Sequence, residues 1–389
     1  MGKKVLSNDT YVHVKSQATR GGTTSATQQA EERASSGLGL DPLVDPKGPS
    51  HLGPVRLSLP RFEKSGKFWM LTRGIPMFIE DLLDTTGSMG TNVEKAFEVL
   101  PLSYEMLTSG ARPILGRYDV QIATGIFNDV EDLRRPNKHV LGRTQFEMDE
   151  KIAVQMTLLV PGKGGCANGK EDPQFGLFGA AYLTKAKTNE YGLRGYHFTI
   201  SDEPIVPTID LGWLRRIFGD DVLARVKETG HNFDQGLPDT AQVVKDLQKI
   251  AHAFFLQVSD SSDVTVQWTE LYGADHTVML PGGGTQYLHF VKAVIIGLTE
   301  GTLDLSSALA FLTEHKVDEY DAKQIIRAVS HIPMGVQTLC SNFDKLPKAG
   351  DLFLEKTDLW PVDPSAQEDS NSAPDCDSNS SAPEGIDWL

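Results

Sequence analysis

The sequence contains few cysteines and no long apolar stretch. Its three cysteines, Cys166, Cys340 and Cys376, show no C-x-x-C spacing and do not indicate a disulfide framework. No run approaches the roughly 20 apolar residues of a transmembrane helix, and the N-terminal residues MGKKVLSNDT lack the apolar core of a secretory signal peptide. We therefore expect a cytoplasmic protein in a reducing compartment.

Positive charge is also scarce. The 389 residues include 37 Lys and Arg against 52 Asp and Glu, and the net charge of −15 argues against general binding to nucleic acid or to an anionic membrane surface. Residues 361–389 contain seven of the acids and neither Lys nor Arg. Because this polar end has too little apolar area to offset its ordering entropy, we predict a disordered acidic tail over 356–389.

The tail ends in Trp388-Leu389. This apolar pair is compatible with a short docking peptide for a partner's groove, and equally with a chain end that packs on its own domain.

The other segments differ in composition and periodicity. Residues 1–60 are rich in Ser, Thr, Gly, Gln and Pro without sustained periodicity, which predicts an extended, partly disordered arm. Apolar residues within 41–46 and 55–59 are expected to allow packing beside a sheet edge. Residues 61–300 are predicted to form one α/β domain, and residues 301–355 a small helical extension.

Strand and helix patterns alternate through this domain and predict a doubly wound, mostly parallel six-stranded sheet flanked by helices. The predicted strands are 76–83, 118–127, 195–201, 253–258 and 276–280, with a short antiparallel edge strand at 143–148. Helical spacing of apolar residues predicts helices at 93–107 with a break at Pro101, and at 149–159, 175–186, 211–218, 240–250, 287–298, 303–311 and 322–329.

An acid and two hydroxyls follow the first of these strands on one short loop. Residues Asp84, Thr86 and Ser88 are spaced D-x-T-x-S. Mg²⁺ prefers oxygen ligands in octahedral geometry and keeps several waters, so this spacing suits a hard divalent cation that retains an open position. Two later strands also end in acids, at Asp129 and Asp202, and ligands of open α/β sheets bind at such carboxyl ends.

This D-x-T-x-S loop resembles the metal-ion-dependent adhesion site (MIDAS) of von Willebrand factor A (vWA) domains, of the intracellular prokaryotic or phage type. The resemblance covers roughly residues 76–298. It implies that Asp84, Thr86 and Ser88 bind Mg²⁺ or Mn²⁺ directly or through water, with Asp202 as a distal carboxylate. Asp129 is a candidate for an outer carboxylate that orients these ligands.

The resemblance also implies a third hydroxyl, usually Thr, from a loop before a later helix. Loop 162–172 contains neither Thr nor Ser, so Asn168 or Glu171 would have to substitute. Intracellular vWA proteins often work beside AAA-type ATPases or within multiprotein assemblies. The resemblance therefore implies a scaffold or adaptor, not an enzyme, whose cation captures an acidic side chain of a partner protein, with Lys163 and Lys170 able to steer that ligand.

Three other interpretations compete for these residues. Residues 164–171 nearly match the P-loop G-x-x-x-x-G-K-[ST], so a nucleotide- or phosphate-handling enzyme using loop 162–171 with Asp84 and Asp202 is the main alternative, although Glu171 replaces the hydroxyl that binds Mg²⁺. The D-T-T-G-S segment also approaches the motif of phosphorylated-aspartate ATPases but lacks its Lys. Finally, it could be a hydroxyl-rich helix N-cap.

Overall fold

The computed structural model describes residues 26–48, 61–65, 68–73, 75–109, 113–116, 118–130, 139–147, 151–162, 164, 169–184, 186, 189 and 192–337. This part of the chain contains eight strands. In chain order they are β1 (Arg61–Ser65), β2 (Phe68–Arg73), β3 (Ile75–Asp84), β4 (Tyr118–Phe127), β5 (Leu141–Arg143), β6 (Gly195–Ser201), β7 (Ala251–Gln257) and β8 (Thr277–Met279). Strands β1 and β2 form a separate antiparallel hairpin.

The remaining six strands form one sheet in the order β5-β4-β3-β6-β7-β8. Neighbouring strands are parallel except β4 and β5, which are antiparallel. The predicted α/β class and the mostly parallel six-stranded sheet are confirmed. The edge strand was expected at 143–148 and lies at Leu141–Arg143, with an isolated antiparallel bridge between Ile122 and Glu147.

Twelve α-helices accompany the strands in the described residues. They are α1 (Ala26–Ser35), α2 (Thr91–Val99), α3 (Leu102–Thr108), α4 (Lys151–Thr157), α5 (Gln174–Tyr182), α6 (Leu211–Phe218), α7 (Val222–Glu228), α8 (Thr240–Ile250), α9 (Ser262–Tyr272), α10 (Leu288–Glu300), α11 (Leu305–Glu314) and α12 (Glu319–Val329). None of these helices is both long and apolar enough to span a bilayer.

Aspartates begin several of the helices because their side chains accept otherwise unpaired backbone N–H groups. Asp210 accepts a hydrogen bond from Trp213 N at the start of α6, and Asp239 accepts one from Gln242 N at the start of α8. The predicted break at Pro101 is confirmed, because α2 ends at Val99 and α3 begins at Leu102.

The sheet is covered by helices on both faces because successive side chains of a strand point to opposite sides. From β3, Met77, Ile79 and Leu83 pack into one apolar core together with α2, α3, α4 and α10 to α12. Phe78 and Leu82 pack into a second core with α5 to α9. The central strand β3 is therefore enclosed, and only its ends can carry an accessible site.

The segments outside the predicted domain are partly described. Within the predicted N-terminal arm, Ala26–Ser35 is helical, and Val44 is fully buried beside the sheet edge, where its carbonyl accepts a hydrogen bond of 2.9 Å from Arg143 N. Helices α11 and α12 contribute Leu312 and Ile325 to the first core, so they pack on the sheet domain. The predicted acidic tail and residues 1–25 lie outside the described residues.

Candidate functional site

The carboxyl ends of β3 and β6 lie side by side at the centre of the sheet. From β3 the chain proceeds through β4 to the β5 edge, and β6 then starts on the other side of β3 and leads to the β8 edge. The loops that follow β3 and β6 therefore diverge, which creates the type of crevice where open α/β sheets bind ligands. Asp84 ends β3, and Asp202 directly follows β6.

A continuous series of hydrogen bonds joins the four residues of the predicted site. Asp84 Oδ1 accepts hydrogen bonds from Thr86 N at 2.8 Å and from Thr86 Oγ1 at 2.7 Å. The hydroxyls of Thr86 and Ser88 are 3.1 Å apart. Ser88 Oγ donates to Asp202 Oδ1 at 3.0 Å. The structure thus brings Asp84, Thr86, Ser88 and Asp202 together although 114 positions separate Ser88 from Asp202.

Backbone and side-chain contacts hold the Asp84–Ser88 loop in place. Thr85 Oγ1 donates to Asn128 Oδ1 at 2.7 Å, which ties the loop to the end of β4. Gly87 N donates to the carbonyl of Gly164 at 2.7 Å. The loop is therefore positioned from both sides, by β4 and by the glycine-containing segment before α5.

Ser201 is a site residue that the sequence patterns did not single out. Its Oγ donates to Asp84 Oδ2 at 2.7 Å, on the opposite side of the carboxylate from Thr86. A signal for it existed, because Ser201 is the last residue of the predicted strand and directly precedes Asp202. This donor fixes the orientation of the Asp84 carboxylate.

Glu171 reaches the same site from the loop before α5. A parallel bridge fixes its backbone beside the segment that follows Asp202, through hydrogen bonds from Glu171 N to Pro204 O at 2.8 Å and from Val206 N to Glu171 O at 3.1 Å. Its side chain contacts those of Thr86 and Asp129. Of the two residues proposed to replace the missing hydroxyl, Glu171 is at the site, and Asn168 lies outside the described residues.

Asp84 and Glu171 are buried and Asp202 is half-buried, and loss of contact with water raises the pKa of all three acids. Burial raises the pKa of Asp84 to about 7, although the hydrogen bonds from Thr86 and Ser201 oppose the shift. Burial, together with the nearby carboxylates of Asp84 and Asp129, raises the pKa of Glu171 to about 11. Burial raises the pKa of Asp202 too, against the hydrogen bond from Ser88.

The described neighbours that shift these three pKa values are hydroxyls, backbone groups and carboxylates, and none is a Lys or Arg. Buried carboxylates are costly to ionise without a compensating positive charge. A hard divalent cation would supply that charge, and carboxylate and hydroxyl oxygens are the donors it prefers. The donor set at this edge therefore fits Mg²⁺ or Mn²⁺.

The hydroxyls are essential to that fit. Within the described ranges, no three His, Cys, Asp or Glu side chains are grouped so that they could hold a metal ion by themselves. A cation here would depend on Thr86 and Ser88 together with the acids. A ligand could approach the site from the side of Ser88, because Ser88 is exposed whereas Asp84 is fully buried.

The glycine-containing loop 162–172 differs from a P-loop in the element that precedes it. A P-loop connects a strand to a helix, but this loop follows helix α4, and residues 165–168 lie outside the described part. Lys170 is exposed, and Lys163 also lies outside the described part. Glu171 faces Asp84 and Asp129, which is an unfavourable surrounding for phosphate.

No protein-family model and no curated protein sequence matches the chain. Among solved structures, the chain is similar to proximal thread matrix protein 1 from the mussel byssus, with 10% identity over 58% of this chain and a TM-score of 0.28. It is also similar to the pilus adhesin SpaC from Lactobacillus rhamnosus GG, with 12% identity over 62% of this chain and a TM-score of 0.28. The chain spans 48% and 34% of these two proteins, respectively.

Proposed function

We propose that this chain contains a doubly wound domain of the vWA type, whose MIDAS-like site binds Mg²⁺ or Mn²⁺ and captures an acidic side chain of a partner protein. The protein would then act as a scaffold or adaptor beside an AAA-type ATPase or within a larger assembly. One observation carries this proposal. The hydrogen-bonded series Asp84–Thr86–Ser88–Asp202 joins two neighbouring strand ends where the order of the sheet reverses.

The proposed roles follow from the positions of these residues. When bound, Mg²⁺ offers an exchangeable coordination position to an oxygen ligand. Asp84 is held by Thr86 and Ser201 and supplies a fixed buried carboxylate. Ser88 and the half-buried Asp202 lie at the outer side, where a ligand would enter. An incoming carboxylate would also meet the N-terminal end of α2, which begins at Thr91 and favours negative charge.

Direct measurement of cation binding tests this proposal. We expect the wild-type protein to bind one Mn²⁺ per chain in an electron paramagnetic resonance titration, with Mg²⁺ competing for the position. Asp84→Asn and Ser88→Ala should weaken this binding, since each removes a donor. Asp260→Asn is a matched control, because Asp260 is an exposed acid on the loop after β7. Absence of saturable Mn²⁺ binding, or unchanged binding by Asp84→Asn, would reject the proposal.

Partner capture needs a second experiment. Affinity purification of the wild-type protein in Mg²⁺ should recover a partner that is lost on chelation and regained when Mg²⁺ is restored. Asp84→Asn should recover none of it. A partner that remains bound in chelator, or that binds Asp84→Asn equally well, would show that capture does not use this site.

The alternative of nucleotide handling can be tested with a fluorescent ATP analogue. Because the loop follows a helix and Glu171 is directed toward other acids, we expect no saturable binding of the analogue. Binding that is abolished by Lys170→Ala would favour the enzyme over the adaptor.

A further inference from the structure

Glu171 is the most unusual feature of this site. It is 5% exposed, and its Oε2 accepts no hydrogen bond from the described residues. Two other buried acids near this site, Asp84 and Asp172, are well supplied with donors. Asp84 accepts three hydrogen bonds, and Asp172 accepts one from Val130 N at 2.8 Å and one from Gln174 at 2.6 Å. One oxygen of Glu171 is therefore left for a ligand.

The position of Glu171 is imposed by the fold. Its backbone is bonded on both sides to the segment after β6, through Pro204 and Val206. Asp129 is held close by its own neighbours, because Asn128 bonds to Thr85 and Val130 N bonds to Asp172. The side chain of Glu171 is thus directed toward Thr86 and away from bulk water.

A carboxylate at this place has a consequence that a hydroxyl would not have. A hydroxyl is neutral, whereas Glu171 adds one more negative charge to those of Asp84 and Asp202 once a cation has displaced its proton. Each added carboxylate strengthens attraction to a cation and reduces the positive charge that remains for an external anion. The effect is large here because the site is buried and the effective dielectric is low.

We propose that Glu171 sets the balance of this site, tightening the hold on the divalent cation while weakening capture of a partner's carboxylate. This inference rests on the proposed function, since it assumes a cation at Asp84, Thr86 and Ser88. It identifies Glu171 as a specificity-determining residue. A partner's carboxylate must then compete with Glu171 for the positive charge of the cation. We therefore expect a single weakly bound carboxylate to be insufficient for capture.

The test measures two affinities in the same set of variants. Mn²⁺ affinity is obtained by titration, and acetate affinity is then obtained at saturating Mn²⁺, as a minimal carboxylate ligand. The variants are Glu171→Gln, which removes the charge at nearly constant shape, Glu171→Asp, which retains it, and the control Asp260→Asn. Circular dichroism and thermal unfolding establish that each variant is folded, and Glu171→Thr replaces Glu171→Gln if the latter does not fold.

We expect Glu171→Gln to bind Mn²⁺ about tenfold to a hundredfold more weakly, the range seen when groups supporting a metal site are removed, and to bind acetate more tightly than the wild type. Glu171→Asp and Asp260→Asn should leave acetate affinity low. The inference is overturned if Glu171→Gln leaves Mn²⁺ affinity unchanged, or if acetate affinity is unchanged or falls. Failure of the wild type to bind Mn²⁺ would instead overturn the proposed function, and this inference with it.

Discussion

Strand β3 carries acids in its middle and at its end, and the two places differ in how the negative charge is balanced. In the middle, Glu80 and Asp81 are buried next to each other, and each contacts a buried basic side chain. At the end, Asp84 is equally buried but is surrounded by hydroxyls and other acids. The chain provides a basic side chain for each of the first two acids, whereas in the function proposed above an external cation would balance the last.

The two middle acids point to opposite faces of the sheet. Arg143 binds Glu80 through two parallel contacts, Nε–Oε1 at 2.6 Å and Nη2–Oε2 at 2.8 Å. On the other face, Lys292 of α10 lies 2.6 Å from Asp81 Oδ1 and 2.7 Å from Oδ2. Burial raises the pKa of Asp81 and lowers that of Lys292, and the contact between the two opposes both shifts.

These two pairs fix the position of β3 between its helical layers. A shift of β3 by one residue would place each acid on the wrong face, away from its basic partner. Buried ion pairs contribute little net stability but strongly penalise the loss of one member. The middle of β3 is therefore a structural element, whereas its end belongs to the proposed cation site.

The largest predicted effect is at Asp81. Asp81→Asn leaves Lys292 buried without a counter-charge, so we expect the free energy of unfolding to fall by about 3–5 kcal/mol. Urea denaturation measures this change. The double variant Asp81→Leu with Lys292→Met should recover most of the loss, because it removes both charges. A loss below about 1 kcal/mol in Asp81→Asn would mean that this pair does not balance charge as described.

The same substitution at Asp84 should have a much smaller effect on the metal-free protein. In chelator we expect Asp84→Asn to change the free energy of unfolding by less than about 1 kcal/mol, as at sites without a buried charge pair. In Mg²⁺ at about one hundred times the wild-type dissociation constant, the wild type should gain about 2.7 kcal/mol and Asp84→Asn should gain much less, because its binding is weaker. If Asp84→Asn in chelator is as damaging as Asp81→Asn, Asp84 has a structural role instead.

The smallest predicted effect is a pH dependence of the Mg²⁺ stabilisation. The pKa of Asp84 is raised to about 7 and that of Glu171 to about 11, so the folded, metal-free protein holds protons that the unfolded chain releases near pH 4. The folded state binds more protons than the unfolded chain. The free energy of unfolding therefore falls as the pH rises from about 4 toward the pKa values that these two acids have in the folded state. A cation replaces the protons, so its stabilisation should increase with pH.

Urea midpoints with Mg²⁺ and with chelator at pH 5.5 and pH 8.5 test this expectation. The difference between the two conditions should be larger at pH 8.5. Burial lowers the pKa values of His197, His252 and His289 to about 4, so these histidines destabilise the protein at acid pH with or without metal. Taking the difference between Mg²⁺ and chelator removes their effect. A difference that is equal at both pH values, or larger at pH 5.5, would contradict it.

Much of the secondary structure could be predicted from local patterns. Strands Tyr118–Phe127 and Gly195–Ser201 and helices Leu211–Phe218 and Thr240–Ile250 have the predicted bounds. The two helices have clear amphipathic periods and begin at capping aspartates, and the strands are apolar runs that end at polar turns. These are local signals, and no distant contact is needed to detect them.

Helices α7 and α9 were not predicted. The sequence of α9, SDVTVQWTELY, is rich in β-branched residues, which have low helix propensity. Tertiary contacts compensate for this. Trp268 stacks on Phe255 with ring centroids 3.9 Å apart, and its Nε1 donates to the carbonyl of Glu203 at 2.9 Å. Packing against the sheet thus stabilises a helix that its own sequence favours only weakly.

By itself, the sequence determined the α/β class, most of the elements and the acid and hydroxyls of the Asp84–Ser88 loop, because periodicity and turn chemistry act over a few residues. The tertiary structure decided which acids meet. Ser201 and Glu171 reach Asp84 only because β6 pairs with β3 and the loop before α5 is bridged to the segment after β6. The same packing decided which acids received a basic partner, since Lys292 lies 211 positions from Asp81. Such pairings depend on strand order and burial, which no local pattern encodes.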